Sequence, residues 1–137
     1  MDLVFSSTGA RLILGAALNG TPIGDLKLKL FTNDITPDYD TIASDFTEAA
    51  GGGYAAKTLT SGSWTLGLSK NIAQATYADQ YFTFTGQLTL GASIYGYFVT
   101  NLAGELIYSQ RGDAFVTPAN PGDYYQVVSS VLLQGME

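Results

Sequence analysis

The chain has 137 residues, which is enough for one domain that buries its core without a metal or a disulfide. It contains no cysteine and no histidine, which excludes disulfides, thiolate metal sites and most hydrolase triads. A net charge of −6 with only six basic residues gives no cationic surface for nucleic acid or for an anionic membrane. No run of about 18 apolar residues predicts a membrane span. Only 13% of the residues are charged, about half the usual share, which favours a surface that is covered in an assembly.

Residues 1–20 are predicted to form an N-terminal arm or short helix ahead of the main domain. The apolar patch Leu3-Val4-Phe5 lacks the basic flank of a secretory signal, so we expect synthesis in the cytoplasm. The patch either docks on a neighbouring subunit or folds back over a sheet edge of its own domain. The candidate assembly interface consists of Leu3, Val4, Phe5, Leu12 and Leu14.

Residues 9–18 fit a short helix. Ser7 or Thr8 can cap its start, and Gly20 stands where a left-handed residue ends a helix. Gly15 weakens the helix from within, so an extended segment is the alternative.

Residues 21–137 are predicted to form a single all-β domain, a sandwich or a jelly-roll-like fold. In residues 25–32, leucines alternate with mostly polar residues, which is typical of a strand with one buried face. Residues 93–100 are apolar on both faces, which favours a central strand, and the turn residues 101–104 predict a hairpin after it. The other strands are predicted near residues 54–60, 63–68, 80–85, 105–110 and 124–133.

Two loops contain residues that suggest ligand binding. Residues 51–58 approach a phosphate-binding loop, but Ala56 replaces its second glycine and no helix is predicted to follow. Asp34, Asp38 and Asp40 form an acidic cluster without the glycine and terminal glutamate of a calcium-binding loop. A glycine turn and a solvated acidic loop are therefore the preferred interpretations. We predict no catalytic residue, no metal and no cofactor.

Aromatic residues are concentrated in two segments, residues 77–84 and 95–98. Exposed tyrosines can stack on sugar rings or anchor a protein interface, whereas the alternative is that the rings pack inward. The candidate exposed aromatic face consists of Tyr81, Tyr95 and Tyr97.

Several sequence blocks resemble a family of small structural proteins of tailed bacteriophages, and they follow one another in the family's order along nearly the whole chain. The blocks are Leu18-Asn-Gly-Thr21, Leu26-Lys-Leu-Lys-Leu-Phe31, Thr32-Asn-Asp-Ile-Thr-Pro37, Ala43-Ser-Asp-Phe-Thr-Glu-Ala49, Gly53-Tyr-Ala-Ala-Lys-Thr-Leu-Thr60, Trp64, Phe82-Thr-Phe-Thr-Gly86, Ile94-Tyr-Gly-Tyr-Phe-Val-Thr100, Gly104-Glu-Leu-Ile-Tyr108 and Gly122-Asp123.

The resemblance implies a virion component without catalytic activity, most readily a head decoration (cement) protein. Such a protein binds the major capsid protein on the head surface as a homo-oligomer, with a trimer favoured. The alternative is a tail or fibre-associated module that contacts a host glycan or receptor through exposed tyrosines. A carboxylate-based glycan hydrolase ranks well below both.

Overall fold

The computed structural model describes residues 3–133. Residues 1–2 and 134–137, which are the outer ends of the predicted arm and of the predicted β domain, lie outside that range. The described chain is built from antiparallel strands with one α-helix near the N-terminus, which confirms the predicted all-β class. The elements are β1 (Leu3–Phe5), α1 (Ser7–Asn19), β2 (Leu26–Phe31), β3 (Lys57–Leu59), β4 (Thr65–Ser69), β5 (Ile72–Thr76), β6 (Gln80–Thr83), β7 (Ile94–Asn101), β8 (Leu106–Val116), β9 (Tyr124–Val127) and β10 (Ser130–Leu133).

The strands form three sheets. The five-stranded sheet has the order β1-β8-β7-β2-β3, the three-stranded sheet β10-β5-β4, and the two-stranded sheet β6-β9. β7 is the middle strand of the largest sheet, as its two apolar faces predict. The predicted hairpin joins β7 to β8, where the Asn101 N–H donates to the Glu105 carbonyl.

The five-stranded sheet carries apolar side chains on both faces because β7 is apolar at consecutive positions and β2 ends in Leu30-Phe31. On one face, Leu28, Leu30 and Val99 are fully buried in the main core, together with residues of β6 and β9. On the other face, Phe31 and Phe98 pack with Phe46 and Leu106. The Phe46 and Phe98 rings stack at 4.5 Å. Phe46 follows a single 3-10 turn at Ala43–Asp45, so the segment after β2 covers this second face.

Helix α1 begins earlier than its sequence predicts. Ser6, not Ser7 or Thr8, is the N-cap, and its hydroxyl accepts from the Gly9 N–H at 2.9 Å. The Ser6 hydroxyl also donates to the Leu106 carbonyl at 2.6 Å, which ties the start of the helix to β8. Gly20 ends the helix in the left-handed conformation, as predicted.

The sequence patterns miss two strands and merge two others into one. β1 is read as an apolar patch alone, although its backbone pairs with β8. β5 escapes detection because Ile72–Thr76 has no strong period-2 pattern. The segment 124–133 contains two strands rather than one, since β9 pairs with β6 whereas β10 pairs with β5.

Residues 51–53 make a tight turn, as their three glycines predict. All three glycines have positive φ, which only glycine adopts without strain. A Cβ on Gly52 would lie 2.7 Å from the Gln87 carbonyl oxygen. The turn therefore packs directly on the segment after β6. The strand β3 follows it, which is incompatible with a phosphate-binding loop.

Candidate interaction surfaces

The predicted assembly interface is split between the interior and the surface. Leu3, Phe5 and Leu12 pack on the main core, and Val4 is half-buried. The Phe5 ring lies 5.7 Å from the Tyr108 ring. Only Leu14 is well exposed, at 58%.

The placement of β1 corresponds to the interpretation in which the segment folds back over a sheet edge. β1 adds an outer strand to the five-stranded sheet, with Val4 opposite Ser109 of β8. Leu14 and Leu18 lie one turn apart on the outer side of α1, and Leu18 is 76% exposed. We call this pair the helix patch. It is the part of the predicted interface region that another molecule can contact.

The prediction that Tyr97 is exposed is wrong, because this side chain is buried in the main core with 6% exposure. Its hydroxyl donates to the Gln110 side chain at 2.8 Å. Burial raises the pKa of Tyr97 to about 12. The Tyr97 ring also meets the Tyr108 ring edge-on at 6.4 Å.

Tyr95 is separated from Tyr97 although the two residues are only two positions apart. A register shift between Ile94 and Gly96 interrupts the alternation of β7. Tyr95 consequently packs with the Phe31 and Phe46 cluster, on the other face of the sheet from Tyr97. The three predicted tyrosines do not form one face.

Arg111 holds the half-buried Tyr95 ring in place. Its guanidinium lies 5.3 Å from the ring centroid, donates to the Ile35 carbonyl at 2.8 Å and pairs with Asp34 at 2.6 Å. Phe115 flanks the same ring at 5.6 Å and is 61% exposed. Arg111 thus attaches the loop after β2 to β8.

Tyr81 does belong to an exposed aromatic surface, but its partner is Tyr124. The two rings are 5.9 Å apart and are 49% and 60% exposed. The Gln126 amide donates to the Tyr81 hydroxyl and to the Asp79 carboxylate, both at 3.1 Å. We call these four residues the tyrosine ribbon. The pairing of β6 with β9 creates it, and those strands are about forty residues apart in the sequence, so no local pattern reveals it.

The three-stranded sheet presents a second surface that sequence patterns miss. Leu66 and Leu68 lie on one face of β4 and are 80% and 72% exposed. We call this pair the hairpin leucines. Alternating leucines predict burial, so their exposure in the folded chain is the signal that marks this surface.

The acidic cluster has local partners instead of a shared ligand. Asp34 pairs with Arg111. The Asp38 carboxylate accepts from the Asp40 N–H at 2.9 Å and from the Thr41 hydroxyl at 3.2 Å. Within residues 3–133, no group of three or more acidic side chains is arranged to hold a metal ion.

Comparison with known proteins identifies no relative: no family model, curated protein or solved structure matches the chain. The resemblance to phage structural proteins stays a prediction. No helix in the described part of the chain has the length and hydropathy needed to cross a bilayer.

Proposed function

We propose that this protein is a non-catalytic structural component of a bacteriophage particle that decorates the head by binding the major capsid protein. The phage assignment comes from the sequence blocks quoted above. The observation that carries a structural role is the presence of three separate apolar patches on the outside of residues 3–133. A protein that sits in a repeated lattice has several neighbours and needs a contact surface for each of them.

The three patches lie on different elements. The helix patch is on α1 and the hairpin leucines are on β4. The third patch is at the end of β8, where Phe115, which is 61% exposed, lies 5.6 Å from the half-buried Tyr95 ring. Apolar pairs of this kind provide the centre of a contact, around which polar residues form the rim. In a chain with so few charged residues, such contacts meet little electrostatic opposition.

The experiment that tests this proposal is the location and copy number of the protein in purified particles. Quantitative mass spectrometry measures copies relative to the major capsid protein, and cryo-electron microscopy locates them. A fixed ratio to the capsid protein, with density on the head lattice, is the expected result. Absence from the particle would overturn the proposal, and a few copies confined to the tail would replace decoration with the second function below.

The second candidate function is a tail or fibre-associated module that binds a host glycan, and the tyrosine ribbon favours it. Paired exposed rings offer apolar faces for stacking on a sugar, while the Gln126 amide and the Asp79 carboxylate supply hydrogen-bonding groups beside them. The Tyr124→Ala variant is expected to lose glycan-array binding. The matched control is Tyr39→Ala, because Tyr39 is 57% exposed elsewhere on the surface. If both variants bind glycans as well as the wild type does, the tyrosine ribbon is excluded as the glycan-binding surface.

A further inference from the structure

The open edge of the three-stranded sheet has the features of a self-pairing strand. β4 is the outer strand of the order β10-β5-β4, and no other strand within residues 3–133 pairs with it. Proteins that protect a sheet edge place lysine, proline or a bulge on it. The sequence of β4, Thr65-Leu-Gly-Leu-Ser69, has none of these.

The turn at the end of β4 decides which backbone groups face the open edge. Lys70 and Asn71 both have positive φ, at 50° and 66°, which is the two-residue turn that joins twisted hairpin strands. Ser69 and Ile72 flank this turn and form its closing pair. Since hydrogen bonding alternates along an antiparallel pair, the N–H and C=O groups of Leu66 and Leu68 point away from β5.

We infer that β4 pairs with β4 of a second copy of this chain, antiparallel and about a two-fold axis at Gly67. This register places Leu66 opposite Leu68 of the other copy, and each such pair exchanges two backbone hydrogen bonds. The two leucines lie symmetrically about Gly67, so a two-fold axis there sets each leucine opposite a leucine of the other copy. No atom lies within 4 Å of the position of a Cβ on Gly67, so the surface around the axis is open.

The charge distribution suits a second copy of the same chain. The protein carries a net charge of −6, and like charges oppose self-association in general. Residues 58–78 nevertheless contain a single charged residue, Lys70. In the inferred register, the two copies of Lys70 lie about 20 Å apart along the strands, beyond the ~8 Å screening length at physiological salt. The two acidic molecules therefore meet at a segment that contains no acidic residue.

The size of the contact sets its strength. Five residues give a paired edge about 17 Å long, and with a sheet thickness of about 10 Å the footprint is about 170 Å². A stable complex of two proteins buries roughly 800 Å² per partner. The pairing is therefore weak and reversible between free molecules, and it becomes strong where many copies are held side by side. A two-fold contact cannot close a trimer, so the predicted trimer would use another surface.

Cysteine cross-linking tests the register directly because the natural chain has no cysteine. In the inferred pairing, the two Gly67 residues face each other as a non-hydrogen-bonded pair about 4.5 Å apart between Cα atoms, inside the range that a disulfide spans. The two Thr65 residues are offset by about 13 Å along the strands, outside that range. Full-length Gly67→Cys is expected to cross-link under mild oxidation at least about 10-fold faster than Thr65→Cys.

A matched pair of lysine variants separates edge pairing from general association. In the Gly67→Cys background, Leu66→Lys with Leu68→Lys is expected to abolish cross-linking, whereas Leu90→Lys with Leu102→Lys is expected to leave it unchanged. All four leucines are at least 66% exposed, and circular dichroism with thermal unfolding verifies the fold of each variant.

Equal cross-linking rates at positions 65 and 67, or rates that the β4 lysines do not lower, would overturn the inference. It does not depend on the phage assignment, since cross-linking uses the purified protein alone. Absence of the protein from particles would overturn the proposed function and leave the pairing intact.

Discussion

The Gly9→Ala substitution tests whether the N-terminal segment is part of the folded domain or a detachable arm. Gly9 is buried where α1 crosses β8. A Cβ at this position would lie 2.0 Å from the Ile107 carbonyl oxygen, whereas ordinary contacts begin at 3.4 Å. The obstacle is backbone, which cannot rotate away as a side chain would. The start of the helix must therefore move outward by more than 1 Å.

The expected cost follows from the contacts that this shift disturbs. Overpacking of a close contact costs about 1–3 kcal/mol. The movement also stretches two hydrogen bonds of the Ser6 hydroxyl, one from the Gly9 N–H and one to the Leu106 carbonyl, each worth about 1 kcal/mol. The better helix propensity of alanine offsets up to about 1 kcal/mol of this loss in stability. The free energy of unfolding should fall by about 2–4 kcal/mol.

Gly15→Ala is the matched control, since it makes the same change in the same helix. No atom lies within 4 Å of the position of a Cβ on Gly15, so this variant should gain up to about 1 kcal/mol. Urea denaturation followed by tryptophan fluorescence measures the stability of both variants. Trp64 is the reporter, because its ring packs edge-on against Tyr77 at 5.2 Å and this contact is lost on unfolding. If Gly9→Ala unfolds at the same urea concentration as the wild type, residues 1–20 do not stabilise the sheet and the reasoning fails.

Three further predictions concern the core, a loop and a turn. Burial raises the pKa values of Tyr97 and Tyr108 above their ordinary 10.0. Because both tyrosines ionise more easily in the unfolded chain, their contribution to stability should be constant below pH 10 and then fall by about 1.4 kcal/mol per pH unit for each. Urea denaturation in alkaline buffers measures this fall. Hydrogen bonds from the Ala119 and Asn120 N–H groups hold the pKa of Asp123 below its usual value. The stability that Asp123 contributes is therefore present above its pKa in the unfolded chain and is lost as the pH falls through its pKa in the folded chain. The wild type should have a higher urea midpoint than Asp123→Asn at pH 7 and lose that advantage in acid. Gly52 has φ 58° and faces a backbone carbonyl, so Gly52→Ala should reduce the free energy of unfolding by at least about 2 kcal/mol, as measured by thermal unfolding. Gly62 has φ 87° but lies in open space, so Gly62→Ala should be destabilised by backbone strain alone. Equal losses of stability in the two variants would show that the packing of the 51–53 turn is irrelevant.

Local sequence patterns were sufficient where a structure depends on near neighbours. The alternation of residues 25–32 predicts β2, the turn residues after Thr100 predict the β7–β8 hairpin, and Gly20 predicts the end of α1. The helix start was displaced because the N-cap serine is selected by its bond to the Leu106 carbonyl, one hundred positions away in the sequence. No local pattern contains that bond.

The interaction surfaces depended on the tertiary structure. Tyr97 is predicted at the surface but shares the core face of β7 with Val99, and the register shift in β7 separates it from Tyr95. Tyr81 acquired Tyr124 as a neighbour through strand pairing, and the leucines of β4 are exposed although their alternation predicts burial.

Composition and periodicity alone determined the all-β class and the central strand, since strand periodicity and turn chemistry act over a few residues. The tertiary structure decided which faces and edges remain open. The exposure of a side chain depends on how distant strands pair and on which sheet stays uncovered. A single strand has the same alternation of residues whether its apolar face meets the core, water or a second molecule.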